Sequence, residues 1–222
     1  MAEHLIIAID GPAGAGKTTL GRMLARELGL LYIDTGSMYR AVALAVIESS
    51  SNETDDLTVG SLAERVDIDL AGDPDSLHVT LDGRDVTERI RDEDVTDMSS
   101  IISTIPAVRR AMVQRQRELG RRGAVMNGRD IGTVVFPSAD FKFFLTATPE
   151  ARAERRLAEE RQIDPAATYE ETLADMTERD ARDSTRADSP LVAAVDAVVL
   201  DTTGVPVDEV LRQMMSEIGR RS

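Results

Sequence analysis

Residues 11–19 read Gly11-Pro12-Ala13-Gly14-Ala15-Gly16-Lys17-Thr18-Thr19, one residue after the apolar run Leu5-Ile6-Ile7-Ala8-Ile9 and directly before a helical pattern. A strand, a glycine-rich turn and a helix that begins on Lys-Thr form the phosphate-binding loop, with glycine at 11 and 16, Lys17 and Thr18 at its required positions. The glycines let successive backbone N–H groups cradle phosphate oxygens, and the helix N-terminus adds partial positive charge. Lys17 neutralises the β- and γ-phosphates of a nucleotide, and the Thr18 hydroxyl is placed to ligate the magnesium ion that travels with it.

The rest of the chain alternates strand and helix. Leu20, Leu24, Ala25 and Leu28 keep helical spacing up to Gly29, and 30–33 reads as a second strand. Asp34-Thr35-Gly36-Ser37-Met38-Tyr39-Arg40 follows at its carboxyl end, where open α/β sheets bind ligands. The pattern from Ala41 to Ile47 is that of a buried helix. Between 66 and 87 the period changes to two, with Asp73-Pro74-Asp75 and Asp82-Gly83 as turn signals, which predicts a small inserted antiparallel sheet. Pro106 starts a helix whose shared face carries Val108, Ala111, Met112, Arg115 and Leu119 and leaves Arg109 elsewhere. Ala124 to Met126 predicts a strand leading into Asn127-Gly128-Arg129-Asp130-Ile131-Gly132. Another strand follows over 141–145, and Thr148 with Pro149 caps the next helix. The segment 152–186 reads as helical and densely charged, and 197–200 with 207–215 supply a last strand and helix.

Within the charged segment, Arg155 with Glu159 and Arg156 with Glu160 fit a solvated helix held by ion pairs. Arg179, Arg182, Asp183 and Arg186 follow helical spacing on one face, and that mixture of arginines with a single acid reads as functional.

Composition narrows the function. The formal charge of −14 argues against a protein that neutralises a nucleic-acid backbone, but small anionic substrates remain open. The cationic residues are 24 arginines and two lysines, Lys17 and Lys142, which favours planar bidentate recognition of phosphate or carboxylate. With no cysteine, thiolate chemistry and disulfides are excluded. No apolar run approaches a membrane span, and the expectation is a soluble, cytoplasmic monomer without membrane or nucleic-acid partners. The Asn-Lys-x-Asp string with which GTPase switches read guanine is absent, and a motor or transporter ATPase needs more chain. A small kinase closing an arginine-rich lid over two anionic substrates remains, beside a regulatory nucleotide-binding module.

GPAGAGKTT, DTGSMYR, NGRDIGTVVFP and ERDARDSTRADSPL together resemble the bacterial cytidylate kinase family, the CMP and dCMP kinases of the nucleoside monophosphate kinase superfamily. The resemblance implies an α/β P-loop kinase fold: a central parallel sheet flanked by helices, an inserted small antiparallel-sheet CMP-binding domain and a helical lid. The core would comprise about 1–58, 105–150 and 190–222, the insert about 59–104 and the lid about 151–189. The implied reaction is phosphorylation of CMP and dCMP by ATP with Mg2+, ATP sitting on Gly11 to Thr19. Arg40 and Arg129 would hold the acceptor phosphate with Thr35 beside it. Ser100, Arg109, Asp130 and Arg186 would surround the cytosine, and Arg179 and Asp183 would approach the sugar. Lys17 with the lid residues Arg155, Arg156 and Arg182 would reach the transferring phosphoryl group. A different acceptor, such as shikimate or another nucleoside monophosphate, and a catalytically silent regulator are the alternatives.

Three positions depart from the family pattern. Asn127 stands where an acid is expected before Gly-Arg-Asp, Thr185 replaces an Asn, and Thr18 occupies a position often held by Gly, so that Thr18 and Thr19 both offer a hydroxyl to magnesium.

Overall fold

In the computed structural model, which describes residues 4–49, 55–162, 164–186 and 188–221, the phosphate-binding loop leaves the middle strand of a parallel sheet. The elements run β1 (Ile6–Asp10), α1 (Lys17–Leu28), β2 (Leu31–Asp34), α2 (Thr35–Glu48), α3 (Asp56–Arg65), β3 (Ile68–Ala71), β4 (His78–Leu81), β5 (Arg84–Asp85), α4 (Glu93–Ile102), α5 (Pro106–Gly120), β6 (Ala124–Gly128), β7 (Phe141–Thr146), α6 (Pro149–Glu160), α7 (Tyr169–Thr185), β8 (Val198–Asp201) and α8 (Val207–Arg221). The five-stranded sheet has the order β2-β6-β1-β7-β8. Its strands are short, and Ile7, Ile9, Tyr32, Ile33, Val125, Met126 and Phe143 are almost wholly buried, as expected of strands covered on both faces.

Register brings the motifs to the carboxyl ends of adjacent strands. Asp34 lies opposite Asn127, Asn127 opposite Ile9, and Asp10 opposite Gly128, so the segments after β1, β2 and β6 leave the sheet side by side. Gly11, the first residue past β1, has φ 144°, and a Cβ there would collide with the Leu145 carbonyl of β7. Only glycine lets the loop begin so close to the neighbouring strand.

Segment 66–87 forms the expected antiparallel sheet, with a third short strand. Ile68, Leu70, Val79 and Leu81 are buried while Asp69 and Ala71 face outward. Leu81 pairs with Arg84 across a two-residue loop in which Asp82 (φ 50°) and Gly83 (φ 77°) both have positive φ, the geometry that matches strand twist in a tight hairpin. α3 packs on α5 and α4 on α2, and Val59, Ile68 and Val79 belong to the same continuous hydrophobic core as the parallel sheet.

The charged segment departs from the expectation of one helical run. α6 ends at Glu160, Asp164 Oδ1 accepts from Ala166 N at 2.9 Å around Pro165, and α7 begins only at Tyr169 with Thr168 as its N-cap. Proline lacks the N–H that would continue the helix. Thr172 Oγ1 then donates to Glu160 Oε2 at 2.6 Å and ties the two helices together. Residues 163 and 187, within the span expected for the lid, lie outside the described residues. Among the described residues, no helix is long and apolar enough to cross a membrane.

Candidate active site

Four successive loop carbonyls each meet a side-chain donor. Lys17 Nζ donates to Pro12 O at 2.6 Å, Arg152 Nη1 to Ala13 O at 3.2 Å, Arg155 Nη1 to Gly14 O at 3.2 Å, and Thr202 Oγ1 to Ala15 O at 3.2 Å. Because a trans peptide sets its N–H opposite its carbonyl, fixing four carbonyls also fixes where the amides aim. Lys17 is buried, and burial with the positive charges of Arg129 and Arg179 pushes its ammonium well below the ordinary lysine range. An arriving polyphosphate would reverse that penalty, since an opposite charge favours the protonated form.

A second cluster of charged side chains is built from β2, α2, α5, the segment after β6 and the end of α7. Asp34 caps α2, accepting from Gly36 N at 3.0 Å and Ser37 Oγ at 2.9 Å, and Arg40 Nη2 donates to it at 3.3 Å. Burial alone would raise the Asp34 carboxyl, but the Arg40 charge and the bonds from Ser37 and Gly36 outweigh it and hold it below the usual range. Thr35 Oγ1 donates to the Asn127 carbonyl at 2.8 Å, fastening the start of α2 to β6. Arg129 Nε donates to Asp183 Oδ2 at 2.8 Å, and Arg186 Nη1 to Asp183 Oδ1 at 3.3 Å. Against the upward push of burial, the charge and hydrogen bond of Arg129 and the charge of Arg186 depress the Asp183 carboxyl. Arg109 reaches Asp130 Oδ2 at 2.5 Å and Ser103 O at 3.3 Å, and its guanidinium lies 5.8 Å from the centre of the Tyr39 ring.

Asp10 holds this wall in place. Its two carboxylate oxygens accept from Ile131 N and Gly132 N, each at 2.8 Å, and so grip the π-helical turn Ile131–Val135 next to Asp130. At 4% exposure, burial raises its carboxyl to about 6 in spite of those two bonds.

Several arginine donors remain unused. Arg40 Nε, Arg109 Nε, Arg182 Nε and Arg186 Nη2 are buried without a hydrogen-bond partner, as is the Tyr39 hydroxyl. Leaving a buried polar group unpaired costs about 1–3 kcal/mol, so such donors are characteristic of a site that awaits acceptors from a ligand.

Thr18 Oγ1 accepts from Asn127 Nδ2 at 3.4 Å, while Asn127 Oδ1 is buried and unpartnered. Of the two loop threonines, Thr18 thus makes the contact with β6. A hydroxyl and a spare amide oxygen suit a hard cation that brings phosphate and water ligands of its own. Among the described residues no cluster of three or more acidic or histidine side chains could cage a metal unaided.

The structure brings Thr35, Arg40, Arg109, Arg129, Asp130, Arg179, Asp183 and Arg186 into one charged neighbourhood. Arg109 is among the most buried members, on the face of α5 that packs inward, whereas Arg115 donates to Glu64 O at 3.1 Å. The three arginines expected at the transferring group are separated. Arg155 lies behind the loop, bonded to Gly14 O and Thr202 in place of Glu159, and Arg156 pairs with Glu159 and Glu160. Arg182 reaches Ser100 Oγ at 2.8 Å, joining α7 to α4. The Arg179 charge acts on Lys17, and burial with the neighbouring Arg129 charge lowers its own pKa to about 10. Thr185 Oγ1 bonds back to Ala181 O at 2.7 Å within its own helix.

Sequence reasoning missed Asp10, Arg152, Asp180 and Thr202. Two of them left a trace: Asp10 is the one charge ending an apolar strand, and Arg152 shares the buried face of α6 with Ala153 and Leu157.

A phosphate-binding loop on the central strand of this parallel sheet, facing a wall of arginines with unused donors, defines a P-loop phosphotransferase. The family model for cytidylate kinase matches residues 7–220. A cytidylate kinase of Desulforamulus reducens is 50% identical over 218 residues, covering 97% of each chain. One from Solibacter usitatus is 47% identical over 222 residues, 99% of this chain and 94% of that one. The chain belongs to the cytidylate kinase family. Among solved structures, a gluconokinase from Sinorhizobium meliloti aligns over 99% of this chain and 94% of its own with TM-score 0.50 and 16% identity, a likeness of fold alone.

Proposed function

We propose that this enzyme transfers the γ-phosphoryl group of ATP to CMP and dCMP. The buried guanidinium donors without partners on Arg40, Arg109, Arg182 and Arg186 carry this reading together with family membership. They suit an acceptor that brings both a phosphate and a polar base edge. An oxygen of the acceptor phosphate forms a bond to the γ-phosphorus as the bond to the β,γ-bridging oxygen breaks, and the electron pair leaves with ADP. The attacking oxygen is already anionic, so no strong general base is needed. His4 and His78 lie in none of the motifs.

In this reading Gly11 to Thr19 hold the ATP phosphates, and Lys17 with Arg129 and Arg179 surrounds the path of the transferring group with positive charge. Arg40 and Arg129 bind the acceptor phosphate, Asp130 and Arg109 read the cytosine with Ser100 and Arg186, and Asp183 approaches the sugar. Arg155 supports the donor loop through Gly14 O, and Arg182 joins α7 to α4 through Ser100. Mg2+ would be held by Thr18, with Asn127 Oδ1 accepting from its water, and would screen phosphate charge.

A coupled ADP-release assay over CMP, dCMP, UMP, AMP and shikimate tests the proposal. Turnover strongest with CMP and dCMP is expected. Turnover led by another acceptor would replace the substrate, and none with any acceptor would favour a regulatory module.

A further inference from the structure

One turn of α7 makes contacts in two directions. Asp180 Oδ2 accepts from Arg152 Nη1 at 2.5 Å, and the same nitrogen donates to Ala13 O of the phosphate-binding loop at 3.2 Å. Three residues later, Asp183 accepts from Arg129 and Arg186, and between them Arg182 donates to Ser100. Helical rise of about 1.5 Å per residue separates the two sets by about 4.5 Å, too short a stretch of helix to bend.

Arg152 is anchored at its other end, Nε donating to Ala147 O at 3.1 Å, and it is only 7% exposed. Asp180 Oδ1 is buried with no partner. The Asp180 carboxylate is therefore set by Arg152, and a shift of α7 cannot occur without moving Arg152 or breaking the pair.

We infer that α7 couples the two substrate sites, with Asp183 as its sensor on the acceptor side and the Asp180–Arg152 pair as its output to the Ala13 carbonyl. The inference rests on the acceptor groove proposed above. A phosphate that binds the Nη atoms of Arg129 shares the guanidinium with Asp183, which holds Nε, and so resets that bond; α7 adjusts, and Arg152 changes its hold on the donor loop. Asp180 and Arg152 are positioning residues in this scheme, because neither needs to touch the reacting atoms.

Coupling between sites is commonly five- to 150-fold in affinity, roughly, and it is reciprocal. The experiment is isothermal titration of the magnesium complex of a nonhydrolysable ATP analogue, with and without saturating CMP, on wild type, Asp180→Asn and Arg152→Met. In the wild type the Kd of the analogue should change by at least about fivefold with CMP, and the Kd of CMP by the same factor with the analogue. In either variant that factor should fall to within about twofold of one while CMP alone still binds within about twofold of wild type. The double variant should lose no more coupling than each single one, as expected when two residues form one link.

A merely structural role would weaken both ligands and leave the coupling factor as it was, so an unchanged factor in folded variants overturns the inference. So does a wild type that binds both ligands independently. A wild type that binds the analogue and no CMP overturns the acceptor assignment first, and this inference with it.

Discussion

Asp130→Asn separates base reading from architecture at the acceptor site. Asp130 Oδ2 takes the Arg109 guanidinium at 2.5 Å, and the two side chains are only 8% and 5% exposed, so solvent screens the pair little. Removing one member of such a pair outright costs about 3–5 kcal/mol, because the other charge is left buried. Asparagine keeps the shape and an oxygen for Arg109. The guanidinium stays charged and keeps its hydrogen bond, worth about 1.5–3 kcal/mol, so of that cost only the loss of the countercharge remains, or about 1–2 kcal/mol. At about 2–4 °C per kcal/mol for a chain of this length, the melting temperature should fall by about 2–8 °C. The turn itself should survive, since Asp10 holds Ile131 and Gly132 independently of Asp130. Selectivity should change more. A carboxylate accepts from the cytosine N4 amino group, whereas the asparagine amide turned toward the base donates to O4 of uracil. A base contact worth about 1–3 kcal/mol makes the expected fall in the CMP to UMP ratio of kcat/KM about five- to 150-fold. Coupled ADP release with both acceptors, beside a melting curve, measures the two effects. An unchanged ratio with both substrates losing activity equally would assign Asp130 to the loop alone and refute the base-reading argument.

Lys17→Ala should lower kcat by about two to three orders of magnitude, as loss of a charge-stabilising donor does, with a native circular dichroism spectrum; near-normal turnover would remove the phosphate-loop assignment. Arg129→Ala should raise the KM for CMP about ten- to 150-fold while that for ATP changes far less, and Arg129→Lys should not restore it if the contact is bidentate; a rise confined to ATP would move this arginine to the donor side. Asp10, whose carboxyl is raised from 3.8 to about 6 chiefly by burial, binds in the folded state a proton that the unfolded chain has already lost between those pH values. Its contribution therefore weakens folding as pH rises through that window, by about 3 kcal/mol in all at about 1.4 kcal/mol per tenfold, and the stability of wild type minus that of Asp10→Asn should fall by about 2 kcal/mol from about pH 4 to 6.5 in urea titrations. A flat difference would show that the two N–H bonds from Ile131 and Gly132 fully offset the burial.

The parts of this protein that could be read from sequence are those whose physics is local. The phosphate-binding loop keeps strand, glycines, Lys17 and helix within a few residues, and the Asp82-Gly83 hairpin and the Thr148-Pro149 cap are equally self-contained. The end of α6 was just as local, marked by Asp164-Pro165, but the dense run of charge obscured it. Tertiary structure alone decided what the charged side chains do. Arg155 and Arg156 are neighbours on one helix, yet one supports Gly14 from behind the loop and the other pairs with glutamates at its own surface. Arg152 meets Ala13 across 139 positions, Asp10 meets Gly132 across 122, and Thr202 meets Ala15 across 187. A long flexible side chain has no preferred partner until the sheet order sets which carbonyls and carboxylates lie within its reach, and that order is fixed by burial of the apolar strands, to which the arginines contribute nothing.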